Sequence, residues 1–276
     1  MPLTYFLDYA CPPREALGSE ELVDAVRSRM LARGVRAQYA EAEKGDLPPE
    51  EMTFRRVVRD AEGTEREEPL SVADLEKEAA ALDDHAAHCA GCPAALGGEA
   101  FGCVRQVSFP VSRLAEVWLA TRVGEPETVS GVLFRQTAQT MKLGADQRID
   151  QWREQGLLES NKPVGSGDPP ATSSQLLEAM FLSGDLSPAQ CLSLLLFLRA
   201  LTTEKGHTPD EMVALIQMIQ RGLSGDKVPE FVLALTDSEK DDQSIRELKT
   251  FLLAAFRAFS LGVGIGIRTE PEARRE

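Results

Sequence analysis

Positive charge is what this sequence most conspicuously lacks. Lys and Arg number 30 against 44 Asp and Glu, giving a net charge of −14 and a pI near 4.8. Nucleic-acid binding draws on clustered cations that release counterions from phosphate, so a nucleic-acid ligand is excluded as an expectation. The densest arginines, Arg55, Arg56 and Arg59, are hemmed in by Asp60, Glu62, Glu65, Glu67 and Glu68. An anionic membrane surface is excluded on the same ground.

Long hydrophobic runs are also missing. The longest, Leu192 to Leu198, is far too short to span a bilayer. The opening MPLTYFLDYA has no basic stretch followed by a long apolar one, so it does not read as a secretory signal. The expected compartment is the cytoplasm, where thiols stay reduced and clustered cysteines bind metal or do redox work. Catalytic signatures are absent as well: there is no G-x-S-x-G, no H-E-x-x-H and no Walker sequence. Gly262-x-Gly264-x-Gly266 follows a helix instead of a strand, which removes the dinucleotide reading and leaves a short strand. No catalytic residue is expected, and the chain reads as a non-enzyme.

What is present falls into three stretches. The fold class expected is mainly α with an α+β N-terminal part: a small sheet with flanking helices, then a helical bundle. Residues 1–123 form the α+β unit, 124–170 a helical connector with a Pro/Gly linker, and 171–276 the bundle with a short strand and a charged tail.

In the first stretch, Leu3 to Tyr9 is aromatic and apolar enough for a strand, and a helix is expected from an N-cap at Ser19 to Arg33, stopped by Gly34. Thr53 to Arg59 and Thr64 to Glu68 flank Asp60-Ala61-Glu62-Gly63 as a hairpin. Ser71 with Asp74 makes a capping box for a helix to about Leu82. Val104 to Phe109 reads as a strand and Ser112 to Arg122 as a helix. In the connector, Val129 to Phe134 starts a helix and Ile149 to Leu158 is amphipathic around Trp152. In the bundle, Thr172/Gln175, Ser187/Gln190, Thr208/Glu211 and Ser244/Glu247 have the spacing of capping boxes. Gly184, Gly206 and Gly222 are placed to end helices. Leu192 to Leu198, hydrophobic all round, marks the buried helix, with Cys191 as a core residue.

Cysteine is scarce, yet three of the five cysteines and two of the three histidines fall within HAAHCAGCPAALGGEAFGC, residues 85 to 103. Cys89-x2-Cys92 presents two thiols on one tight turn, and Cys103 closes the same site if Gly97 and Gly98 let the loop double back. Phe101-Gly102 would shield the ion on one side. The fourth ligand is open among His88, His85 and the remote Cys11. Three thiolates with a fourth thiolate or an imidazole suit a zinc ion, the favoured cofactor. A 4Fe-4S cluster, the alternative, requires Cys11. A Cys89/Cys92 redox dithiol is the lesser reading, because a helix precedes the pair where such motifs follow a strand. A catalytic zinc would need an acid or base from Asp83, Asp84 or Glu99, which read as solvated surface. The expectation is a structural centre in an adaptor or regulatory protein, with another protein as partner through the helical C-terminal region.

Overall fold

Capping chemistry and breakers written into the sequence set most of the element boundaries. The computed structural model describes residues 2–43, 45–59, 65–123, 128–144, 149, 153–154, 158, 163–164, 171–181, 184–220 and 230–268. Mainly helical, with small sheets, it carries the expected fold class. The Asp60–Gly63 turn, Trp152, Gly222, the charged tail beyond 268 and most of the 162–170 linker lie outside the described residues.

The chain forms two compact units that do not follow the linear division. One comprises Met1–Asp8 with Gln106–Ile267, the other Tyr9–Arg105 with Arg268–Glu276. The first strand therefore belongs with the helical unit.

In the unit built on Tyr9–Arg105, α1 (Pro12–Leu17) starts with proline in its first turn, where a missing N–H costs nothing. Helix α2 (Ser19–Glu41) follows. Its N-cap is Gly18 instead of Ser19, and it runs straight through Gly34. A glycine in a helix interior costs under about 1 kcal/mol, and tertiary contacts outweigh that here. Ala32 and Val35 pack with Met52, Val72 and Leu75 in a buried cluster. Further along, the Tyr39 hydroxyl donates to Thr53 O (2.9 Å) and accepts from Thr53 N (3.1 Å), fixing the start of the next strand. That strand, β2 (Thr53–Arg59), pairs antiparallel with β3 (Glu65–Ser71), Thr53 opposite Ser71 and Arg59 opposite Glu65. Helix α3 (Val72–Ala79) opens with the expected box: Ser71 Oγ accepts from Asp74 N at 3.1 Å and Asp74 Oδ2 from Ser71 N at 3.0 Å. Beyond Ala79 the chain tightens into a 3-10 helix, Ala80–Cys89, so the α-helix ends short of Leu82.

In the other unit, β1 (Pro2–Leu7) is the middle of a three-stranded sheet between β4 (Val104–Ser108) and β9 (Ile265–Arg268). Around it stand α4 (Arg113–Arg122), α5 (Val129–Thr140), α6 (Ser173–Phe181), α7 (Pro188–Phe197), α8 (Pro209–Gln220) and α9 (Gln243–Leu261). Two short antiparallel pairs complete it: β5 (Pro163–Val164) with β6 (Ala171–Thr172), and β7 (Leu201–Thr203) with β8 (Phe231–Leu233). Helix α7 is the buried one, packed against α5 and α9, and Cys191 on it is wholly inaccessible.

Three of the four expected capping boxes form, at Thr172/Gln175, Ser187/Gln190 and Thr208/Glu211. The fourth does not. Asp242, two residues earlier, takes the N-cap of α9 by accepting from Ile245 N at 2.8 Å. Ser244 is thereby released inward, where its hydroxyl accepts from Ser112 N, and Glu247 accepts from Ser108 N. Gly206 has a positive φ of 72° but ends no helix; it turns the chain after β7. Gly262 is the left-handed C-cap of α9, and Gly266 lies in β9 where a Cβ would stand 2.2 Å from the Phe6 ring. The glycine-alternating segment is thus a strand that lets an aromatic ring lie on its backbone.

Candidate metal centre

The candidate ligands sit at the ends of three short elements of the Tyr9–Arg105 unit. Cys11 is the residue before α1, in extended conformation, and its carbonyl accepts from Glu15 N at 3.0 Å. Its side chain caps no backbone amide, which leaves the sulfur for other work. Cys89 ends the 3-10 helix, whose start is held to α2 by Arg29, donating to Ala79 O at 3.1 Å and to Asp83 at 2.6 Å. A tight turn then follows: Cys92 N donates to Cys89 O at 3.2 Å, with Gly91 at φ +71° making the reversal.

The next loop doubles back on itself. Leu96 N donates to Gly102 O at 3.2 Å, Gly102 N to Glu99 O at 3.2 Å and Val104 N to Phe101 O at 3.0 Å. Arg105 closes it from outside, donating to Leu96 O at 3.1 Å. Phe101 carries a φ of +60°, a region bulky residues avoid at a cost of order 1–3 kcal/mol. Its ring is buried with the Arg29 guanidinium 5.7 Å away, and its backbone hydrogen-bonds the Cys89 sulfur. The strained residue is therefore the one that ties the loop back to the first thiol.

Electrostatics place the four thiols as neighbours. Burial first, then negative charge on Cys92, Cys11 and Cys89, together push the Cys103 thiol up to about 12 against the lowering pull of Arg14. The Cys89 thiol is raised too, by burial first and then by Cys92 and Cys11, against the lowering hydrogen bond from Phe101. Arg14, on α1 one turn beyond Cys11, is itself buried. All five cysteines are free thiols. Among the described residues, no three side chains of His, Cys, Asp or Glu are gathered into a group that could hold a metal ion. The sulfurs are neighbours without being a formed coordination sphere.

The histidines stand apart from this set. The His85 and His88 rings face one another at 6.3 Å between centroids, with His88 exposed and His85 half-buried, and neither is among the groups acting on Cys89 or Cys103. The carboxylates weighed as an acid or base, Asp83, Asp84 and Glu99, are exposed, and two of them are paired, Asp83 with Arg29 and Glu99 with Arg33 at 3.6 Å. Cys191 lies in the other unit and takes no part. Sequence reasoning missed the arginines: Arg29 falls on the apolar stripe of α2 between Val26 and Met30, and Arg14 follows Cys11-Pro-Pro by one turn. Comparison of the chain with protein-family models, with curated proteins and with solved structures gives no match. No helix among the described residues is long and apolar enough to cross a membrane.

Proposed function

We propose that this chain is a metal-binding adaptor or regulatory protein whose ion, zinc by preference, is held by Cys89, Cys92 and Cys103 with one further ligand. The observation that carries the reading is the bunching of Cys89, Cys92 and Cys103 between the end of the 3-10 helix and the start of β4, on a loop that doubles back through the Leu96 N to Gly102 O hydrogen bond. A dication offsets the mutual repulsion that otherwise keeps such thiols protonated, so ligation couples metal binding, proton release and local folding. Loading would draw the sulfurs into one tetrahedral set and fasten the 3-10 helix to the strand after Cys103. The role is structural: Asp83, Asp84 and Glu99 are exposed, and Asp83 and Glu99 are held in ion pairs with arginines. A reducing compartment such as the cytoplasm suits free thiols. The acidic charge of −14 points to protein partners in preference to nucleic acid or anionic lipid.

The second reading is a 4Fe-4S cluster for electron transfer or redox sensing, favoured by the all-thiol neighbourhood that includes Cys11. Metal analysis with an absorption spectrum on anaerobically purified protein separates the two. Stoichiometric zinc and no colour supports the first, a brown preparation with iron and sulfide the second, and a metal-free folded protein removes both.

A further inference from the structure

Whether or not a metal binds, we propose that the Cys89-Ala90-Gly91-Cys92 turn is a redox switch: its two thiols close reversibly to a disulfide, and that bond is coupled to the loop before β4. Ala90 lies at φ −64° and ψ 119°, Gly91 at φ +71°, and Cys92 N donates to Cys89 O at 3.2 Å. Those are the angles of a type II turn, whose third position calls for glycine. A β-turn holds its first and fourth Cα atoms within about 7 Å, and disulfides span Cα separations of about 4.4–6.8 Å. The turn therefore keeps the pair within reach of a bond across a short ring, which has little loop entropy to lose. Access favours the same pair. Cys89 and Cys92 are half-buried with exposed residues between them, whereas Cys103 is buried and Cys191 is wholly inaccessible.

The oxidant is a small-molecule disulfide such as oxidised glutathione. One thiolate of the pair attacks it, and one glutathione leaves as thiolate. The second protein sulfur then displaces the other glutathione from the mixed disulfide, forming the Cys89–Cys92 bond. The pair gives up two electrons and two protons, and one glutathione disulfide becomes two glutathione thiols. The consequence lies at Phe101, whose backbone hydrogen-bonds the Cys89 sulfur while holding a φ of +60°. Drawing that sulfur into a bond with Cys92 takes it from the residue at which the 96–102 loop is strained, and the loop loosens. A metal ion binds the two sulfurs only as thiolates, so disulfide and ion exclude one another.

Anaerobic equilibration of the full-length protein as purified over a series of reduced-to-oxidised glutathione ratios tests this, run with and without a chelator. Acid quenching, alkylation of the unfolded chain and peptide mass mapping count the thiols, and amide hydrogen exchange reads the loop. Two of the five thiols are expected to disappear together, in one peptide holding both Cys89 and Cys92, with Cys103 and Cys191 still alkylated. C103S is expected to close the same bond, while C89S and C92S each stop at a glutathione adduct on the cysteine that remains. Exchange at residues 96–103 is expected to rise several-fold on oxidation. A disulfide to Cys11 or Cys103, glutathione adducts alone in wild type, or five intact thiols in both arms overturns the switch. Closure with no change in exchange at 96–103 overturns its coupling to the loop. Closure that the chelator promotes supports the switch together with the metal reading, whereas equal closure in both arms supports the switch and counts against a bound metal.

Discussion

The helical unit buries a network of aromatic rings, whereas the Tyr9–Arg105 unit buries mostly aliphatic side chains and carries four of the five cysteines. In the first, Tyr5 and Phe181 each meet Phe251 with ring centroids 5.0 Å apart, Phe109 meets Phe181 at 5.5 Å and Phe134 meets Phe197 at 5.0 Å. In the second, one buried cluster is Ala32, Val35, Met52, Val72 and Leu75, with Tyr39, Leu47 and Phe54 partly buried against it, and Leu22, Val23, Val26, Leu82, Leu96 and Phe101 are buried as well. Large rings supply burial and edge contacts without outside help. A mostly aliphatic core beside a glycine-rich loop gains from an added cross-link, which is the service a structural ion performs. The difference teaches where metal dependence should reside: in residues 9–105, with the helical unit standing on its own core.

The largest effect that would break this contrast is at Phe251. Truncation to Ala should cost about 3–5 kcal/mol in denaturant unfolding while leaving bound metal per folded chain unchanged; parallel loss of metal would join what the comparison separates. Two glycines sharpen it with opposite signs. Gly266→Ala forces a Cβ to 2.2 Å from Phe6, and overpacking of that kind should destabilise the helical unit by about 1–3 kcal/mol. Cys191 gives a pH signature confined to the same unit. Burial pushes its thiol up to about 12, above the roughly 8.5 of an unfolded chain. Its contribution is therefore full below about pH 8.5 and is lost at up to about 1.4 kcal/mol per pH unit as pH rises toward about 12. Urea midpoints at about pH 8 and about pH 10 should fall more steeply for wild type than for Cys191→Ala. Smallest is Gly34→Ala: mid-helix in α2 with open space around a Cβ, it should stabilise the thiol-bearing unit by about 0.5–1 kcal/mol in thermal unfolding.

The sequence made its local grammar easier to read than its packing. Ser71/Asp74, Ser187/Gln190 and Thr208/Glu211 could be picked out because a capping box is a four-residue event, complete within the sequence that displays it. Gly34 misled because the residues that carry α2 past it, Met52, Val72 and Leu75, lie far along the chain. Ser244 misled for the same reason: Ser112 claims its hydroxyl, and Asp242 was the better cap. At the candidate centre the bunching of Cys89, Cys92 and Cys103 was visible directly. Cys11 was visible only as a remote candidate, and the packing of its helix α1 against the 3-10 helix was not. The left-handed Phe101 was equally hidden, because nothing but the folded loop asks an aromatic residue to adopt that conformation.

X-ray absorption at the zinc edge of the protein as purified tests the central claim most directly. The account predicts one zinc per chain with at least three sulfurs in its first shell at about 2.3 Å. A shell with fewer than three sulfurs, or protein that is folded yet free of metal, would contradict it.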